Sequence, residues 1–357
     1  MEVVIHMLFK KLLSLLAALS LILTLASCGT TPPTSDELDD VPVVSSEPEP
    51  EPEPELAVNN LTGEKNLPLD AVGKKPVAVM VNNAGVAQRV QSGLDKADVV
   101  FETEVEGGIT RLIALFADPT NVSAIGTIRS LRVPFADIAC GMDAILFYHG
   151  IDGTYCAPHL KTLPMNAFTV DAKTYGYRDR SNGLAYEHTL YTTGEKIDKA
   201  IADKKYNYDS SRGSWLTFNS SEEAIVPAGV AANITAKFSS ASTTKFLYNA
   251  ELKKYARANK NGVAYTDLTS GNQELFTNIF ILKTTISYYP DGKHRKVDLS
   301  SGTGYYATAG GFEEINWKKG SSTENFSFTK ADGSPLTVNQ GNSYVCIMGG
   351  TGSITFE

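Results

Sequence analysis

The sequence predicts a mixed α/β domain followed by a smaller, mostly β domain. Two observations within the body of the chain predict this. Up to about residue 235, apolar runs of strand length alternate with segments of helical spacing; beyond it, short aromatic-rich strands follow one another between Gly, Asn and Asp turns. A third observation, at the N-terminus, says where the body sits. Lys10 and Lys11 precede the apolar stretch "LLSLLAALSLILTLASC". A short basic region, an apolar core and small residues before a cut describe a secretory signal.

Residues 1–28 are therefore read as a lipoprotein signal. Leu25-Ala26-Ser27-Cys28 is a lipobox, with Cys28 as the lipidation site and the lipid as the link to the bacterial cell membrane. Residues 29–60 are read as a disordered acidic tether. They hold no lysine or arginine and include the run "EPEPEPEPE", in which alternating Glu and Pro favours an extended, self-repelling spacer. Of the 40 acidic residues nine lie in this tether and Glu2 lies in the signal, leaving 30. Of the 32 lysines and arginines Lys10 and Lys11 lie in the signal, also leaving 30. A formally neutral body argues against nucleic acid as a partner. No later apolar run is long enough to span a bilayer. The expected location is extracytoplasmic, anchored by lipid.

Residues 61–235 form the predicted α/β domain. "KPVAVMVNN" (75–83), "ADVVFETEVE" (97–106), "TRLIALFA" (110–117), "VSAIGTIRS" (122–130) and "DAILFYHG" (143–150) read as strands. "VPFADIACGM" (133–142) has helical spacing, and Thr192-Thr193-Gly194-Glu195 offers a capping box for the amphipathic "KIDKAIADKKY". Residues 236–357 form the predicted β domain, where "YARANKNGVAYTD" carries a hairpin signal in Asn-Lys-Asn-Gly. Three cysteines remain in the body, Cys140, Cys156 and Cys346, and an odd number leaves one disulfide or none. Cys156 and His159 have a C-x-x-H spacing without a second such pair. Packing is the better reading of that cysteine, and no metal or cofactor is expected.

"EVEGGITRL" (104–112) lies between two of these strands. Gly107-Gly108 suits a hairpin turn, and Glu104, Glu106 and Arg111 then sit at strand ends. On spacing alone they are solvated charge. "IGTIRSLR" adds Arg129 and Arg132 at a strand end before a helix, where α/β folds commonly bind ligands. "YGYRDRSNG" adds Arg178 and Arg180, and "YEHTLYTT" adds His188 and Tyr191. Five arginines at loop edges of a neutral body predict an anion site, because guanidinium groups match phosphate and carboxylate in bidentate fashion. Arg111, Arg129, Arg132, Arg178, Arg180 and Tyr191 are the predicted ligand-binding residues. Glu104, Glu106 and His188 are the weaker acid–base candidates.

With these motifs in hand, the chain resembles the YerB-like family of bacterial lipoproteins, a family of unknown function. The resemblance rests on Gln91-Ser92-Gly93-Leu94, Glu106-Gly107-Gly108-Ile109-Thr110-Arg111 and Ile128-Arg129-Ser130. It covers most of 74–203 and resumes from about 245 to 349. Two places depart from the family pattern. Ala84-Gly85 follows Asn83 where His-Pro is usual, and Glu187-His188-Thr189 stands where Pro-His-Asn is usual. A mechanism needing a histidine at position 84 is thereby excluded. The resemblance implies an extracytoplasmic lipoprotein working beside cell-wall synthesis or division machinery, with no settled reaction.

Two functions compete. One is a non-catalytic binding protein whose partner is an envelope protein or an anionic wall precursor; no G-x-S-x-G, catalytic-cysteine signature or H-E-x-x-H is present. The other is an enzyme on a phosphorylated or polyprenyl-linked envelope substrate. A strand ending in Ile-Arg and an Arg-x-Arg loop are loosely similar to the LytR-type family, by analogy of architecture. A glycosidase using Glu104 and Glu106 needs them on one strand face, and structural charge is the safer reading.

Overall fold

The computed structural model describes residues 55–357, which pack as one compact unit. The expected lipidation site at Cys28, and all of the expected tether but its last residues, lie outside the described residues. Eleven strands form the main sheet. In chain order they are β1 (Val77–Asn82), β2 (Val99–Glu104), β3 (Thr110–Phe116), β4 (Ile145–Tyr148), β5 (Ala167–Thr169), β6 (Gly229–Val230), β7 (Asn278–Thr284), β8 (Ser301–Thr308), β9 (Gly311–Lys318), β10 (Ser327–Lys330) and β11 (Ser343–Gly349). Across the sheet they run β6-β9-β8-β7-β11-β2-β3-β1-β4-β5, with β10 pairing the second half of β9 alongside β6.

The central strands are apolar on both faces, as a sheet covered on both sides requires. Val77, Val79, Val81, Val100, Leu112 and Ala114 enter one core. Ala78, Met80, Val99, Phe101, Ile113 and Leu115 enter the other. The first face carries a five-stranded antiparallel sheet of Leu275–Phe276, Lys254–Ala258, Thr243–Asn249, Asn233–Lys237 and Ser353–Phe356. The second carries α1 (Val133–Gly141), which contributes Phe135, Ala136, Ile138 and Ala139. The other α-helices are α2 (Cys156–Leu160) and α3 (Gly194–Lys204); no α-helix follows Lys204 among the described residues.

The change of character near residue 235 is not a break in packing. β11, from the end of the chain, pairs in parallel with β7 on one side and with β2 on the other. Both cores therefore draw on both segments: Phe246, Phe276 and Tyr344 join the first, while Phe280, Trp317 and Val345 join the second. Local predictions fared better at strand centres than at ends. The expected strand over 122–130 is reduced to Ile125–Gly126. The α3 cap is Thr193, whose hydroxyl accepts from the Lys196 amide at 3.1 Å, while the Thr192 hydroxyl donates to Tyr175 O at 2.7 Å. Thr192 and Glu195 thus do not form the expected box. The Asn-Lys-Asn-Gly turn is present, with Gly262 at φ 79° and Ala258 bridged to Ala264.

Candidate functional site

The chain enters the fold at one end of the central strands, where Asn59 Nδ2 donates to Asp98 just before β2 at 2.9 Å. Arg111 pairs with Asn82 and Thr103 at the other end, about 20 Å away at 3.3 Å per strand residue. The β2–β3 connection is the tight turn expected: Gly107 and Gly108 both have positive φ, 72° and 73°. The Ser239 hydroxyl donates to Gly108 O at 2.5 Å, and Ser242 Oγ accepts from the Thr110 amide at 3.2 Å. The turn is thereby clamped by the second segment.

Alternation along β3 sends Thr110 to one face and Arg111 to the other. Arg111 is buried, and its Nη1 donates to Ser130 O at 2.6 Å. The loop supplying that carbonyl is itself fixed. Arg129 N donates to Met80 O at 3.1 Å, Leu131 N to Gly150 O at 3.0 Å, and His149 N to Arg129 O at 3.1 Å. Gly150 has φ 83°, and a Cβ there would lie 2.7 Å from Ser130 Oγ, so the close approach needs glycine. Arg129, Arg132 and Arg111 are thus brought together, as the sequence predicts.

The electrostatics of the three differ. Arg132 Nε donates to Glu106 Oε1 at 2.5 Å. Burial pushes the Glu106 carboxyl up, but the Arg132 hydrogen bond and charge outweigh it and hold it below its ordinary value. Arg129 has a long ion pair, 3.7 Å to Glu187, and a long hydrogen bond from Nη1 to Glu187 O at 3.4 Å, and its buried Nε has no partner among the described residues. Arg111 has no carboxylate within 4 Å among the described residues. Burial, reinforced by the charges of Arg132 and Arg129, lowers its guanidinium to about 9. The N-terminus of α1 follows Arg132 directly and adds partial positive charge.

Glu104 and Glu106 do not act as a pair. Glu104 ends β2 and binds Arg295 at 3.0 Å, with burial raising its carboxyl despite that arginine. Glu106 lies beyond the strand, in the turn, and faces Arg132 and His294. The face shared by two carboxylates of one strand, which a glycosidase pair would need, is absent.

His294 and Arg295 were missed by the sequence reading. They come from the hairpin of Ile286–Tyr288 with Arg295–Val297. His294 meets Asp291 at 2.5 Å, Glu106 at 3.4 Å and Asp152 at 3.5 Å. Asp291-Gly292 ahead of His-Arg was a legible turn signal, but only the long-range packing shows where it points.

Of the remaining predicted residues, His188 joins the cluster beside Arg129 while the others do not. Arg178 stacks on Tyr186, 3.6 Å from the ring centre, and donates to Tyr186 O at 2.7 Å and to His149 Nε2 at 3.2 Å. It touches the loop wall without meeting Arg111. Arg180 is exposed and makes no side-chain hydrogen bond among the described residues. Tyr191 is buried; its hydroxyl donates to Val90 O at 2.7 Å and its ring stacks on Tyr177, so it is a core residue and not a wall of the cluster. His188 lies beside Arg129. Burial and Arg129 lower its pKa, and Asn82 Nδ2 donates to its Nδ1 at 2.7 Å, which leaves Nε2–H facing Glu187 at 3.4 Å.

A second polar network, also unseen in the sequence, fills the opposite face. Glu102 accepts from Tyr344 at 2.6 Å, Thr110 at 2.6 Å, Asn83 at 2.9 Å and Thr244 at 2.9 Å. Buried Arg257 donates to Glu274 at 2.7 Å, Asn83 at 2.7 Å and Gln91 at 3.0 Å. Cys140, Cys156 and Cys346 are buried free thiols, His159 bonds Asp137 at 2.6 Å, and no metal-binding cluster occurs among the described residues.

Comparison with known proteins agrees with this two-segment build. Residues 61–207 match the family described as protein of unknown function (DUF3048), N-terminal domain, and residues 234–345 match its C-terminal domain. The chain belongs to this family. It is 31% identical over 256 residues to the Bacillus subtilis protein described as "Putative lipoprotein YerB", covering 69% of this chain and 73% of that one. The crystal structure of YerB from Bacillus subtilis superposes with a TM-score of 0.71 at 28% identity, covering 83% of this chain and 99% of that one. The resemblance read from Gln91–Leu94, Glu106–Arg111 and Ile128–Ser130 thus holds for both segments of the family.

Proposed function

We propose that this chain is a lipid-anchored, extracytoplasmic binding protein whose Arg111–Arg129–Arg132 cluster takes a phosphate- or carboxylate-bearing ligand of the cell envelope. The observation that carries the reading is Arg111: a buried guanidinium with one backbone acceptor and two arginine neighbours, offset only by the Glu106 carboxylate, which acts from beyond 4 Å and is itself bonded to Arg132. A buried cation is costly unless paired, and an oxyanion held between Arg111 and Arg129 would supply the missing charge. The partial exposure of Arg129 and Arg132 leaves the cluster reachable from solvent. The lipoprotein description of YerB and the lipobox at Cys28 support the anchor. Glu104 and Glu106 are each held by an arginine, and His188 by Asn82, so the reading is one of binding.

Calorimetry of the soluble body, residues 29–357, against inorganic pyrophosphate and a short-chain polyprenyl phosphate tests it. Wild type binds, and Arg129→Ala loses binding while its melting temperature hardly moves, because its 3.7 Å pair with Glu187 is worth about 0–1 kcal/mol. No binding by wild type, or unchanged binding by Arg129→Ala, ends the proposal.

A further inference from the structure

A cleft of about 310 Å³ opens on the other face of the sheet, where the two family segments meet. The first segment supplies Asn83, Gln88 and Ile109; the second supplies Ser242, Asn259 and Tyr265. No carboxylate lines it, and its one charged side chain, Lys260, stands exposed among the lining residues. We infer that this cleft is a binding site for a neutral saccharide, separate from the arginine cluster.

The hydrogen-bonding inventory favours hydroxyl groups. Gln88 Oε1 already accepts from the Tyr265 hydroxyl at 2.7 Å, while its Nε2 has only long contacts with Asn83, 3.3 and 3.4 Å. Asn259 Oδ1 accepts from the Asn261 and Val263 amides, at 2.9 and 3.2 Å, and its Nδ2 has no partner among the described residues. Ser242 Oγ accepts from Thr110 N and keeps its own proton to give. Two amide donors, a hydroxyl donor and the phenol oxygen of Tyr265 match a ligand whose groups both give and accept hydrogen bonds. Arg257 lies 4.5 Å from the Tyr265 ring centre, and that ring is only partly covered.

Charge argues for a neutral occupant. Beneath Asn83 lie the carboxylates of Glu102 and Glu274 with the single guanidinium of Arg257, a balance that disfavours a second anion. The same network locks the floor. Asn83 donates to Glu102 and Thr110 and accepts from Arg257 and Gln91, so its amide is fully engaged. Buried ion pairs contribute little to stability by themselves, whereas a fixed floor reduces what a bound ligand must order. The size suits a small ligand, and the opening between segments explains why both are needed to make it.

The test is NMR titration of the soluble body, residues 29–357, with chitotriose and with maltotriose, beside inorganic pyrophosphate. At least one trisaccharide is expected to bind in the micromolar-to-millimolar range and to shift amides of residues 83–88 and 259–265. Gln88→Leu and Asn259→Ala, both on partly covered side chains, should each weaken it about tenfold. Arg129→Ala should leave it unchanged. That last arm separates this site from the anion cluster, whose failure would not touch it. Silence from both sugars at millimolar concentration, or binding indifferent to Gln88→Leu and Asn259→Ala, overturns the inference.

Discussion

Arg257, on the five-stranded sheet, and Arg111, on β3 of the main sheet, are both buried guanidiniums, and their surroundings are opposite. Arg257 gives hydrogen bonds to Glu274, Asn83 and Gln91. Burial works against its charge, but Tyr344, Glu274 and Glu102 more than offset that and raise its pKa. Arg111 gives one side-chain bond, to Ser130 O, and is pushed down to about 9 by burial and by two like charges. The first arginine has its charge paired by the protein through Glu274, although its Nε and Glu274 Oε1 have no hydrogen-bond partner among the described residues. The second is incomplete, and incompleteness at a partly open surface is what a ligand site looks like before the ligand arrives.

Removing each partner should sharpen that contrast. Arg257→Met leaves Glu274 and Glu102 as buried carboxylates without their cation and should cost about 3–5 kcal/mol in urea unfolding. A loss below about 1 kcal/mol would mean the network is not the closed structural unit described.

Asp98 offers the mirror case, a carboxylate enclosed with only neutral donors, the Ala117 amide and Asn59. Burial raises it to about 6 from an ordinary 3.8. A raised carboxyl contributes stability that is present below pH 3.8 and lost as pH rises through about 6. The loss should be of order 3 kcal/mol. Asp98→Asn should remove this slope between pH 4 and 6 from the stability curve. An unchanged slope would place the titration elsewhere.

Glu106 carries the reverse sign. Its carboxyl lies below the ordinary 4.5, so its contribution is present above that value and lost as the pH falls through the lower folded value. Glu106→Gln should cost about 1 kcal/mol at pH 7, less at pH 3, and free Arg132 to tighten pyrophosphate binding. Glu187→Gln is the smallest change. Its 3.7 Å contact with Arg129 should be worth under about 0.5 kcal/mol, and pyrophosphate affinity should rise slightly.

The sequence carried much of this, unevenly. The apolar runs of β1, β2 and β3 and the Gly107-Gly108 turn were legible because local pattern alone decides them. Arg111, Arg129 and Arg132 could be grouped because the first follows the Gly107-Gly108 turn at the start of β3 and the other two lie in the loop that leads into α1. Tyr191 and Arg180 look the same in sequence as true neighbours; burial against Val90 removes one, and solvent exposure removes the other. His294, Arg295, Glu102 and Arg257 were invisible for a different reason. Most of their partners lie far along the chain, as with Glu104 and Arg295 or Glu102 and Tyr344, the second pair being brought together by β11 beside β2. The division at residue 235 was a true change of composition, but composition does not reveal that β11 returns to pair with β2 of the first segment.

Arg111→Met, followed in parallel by urea unfolding and pyrophosphate calorimetry, tests the central claim most directly. The account predicts a protein at least as stable as wild type to within about 1 kcal/mol, since an unpaired buried cation is exchanged for an apolar side chain of similar length. It also predicts that pyrophosphate binding disappears. A variant destabilised by more than about 3 kcal/mol would show that Arg111 is as structural as Arg257. One that binds pyrophosphate as wild type does would contradict the anion site outright.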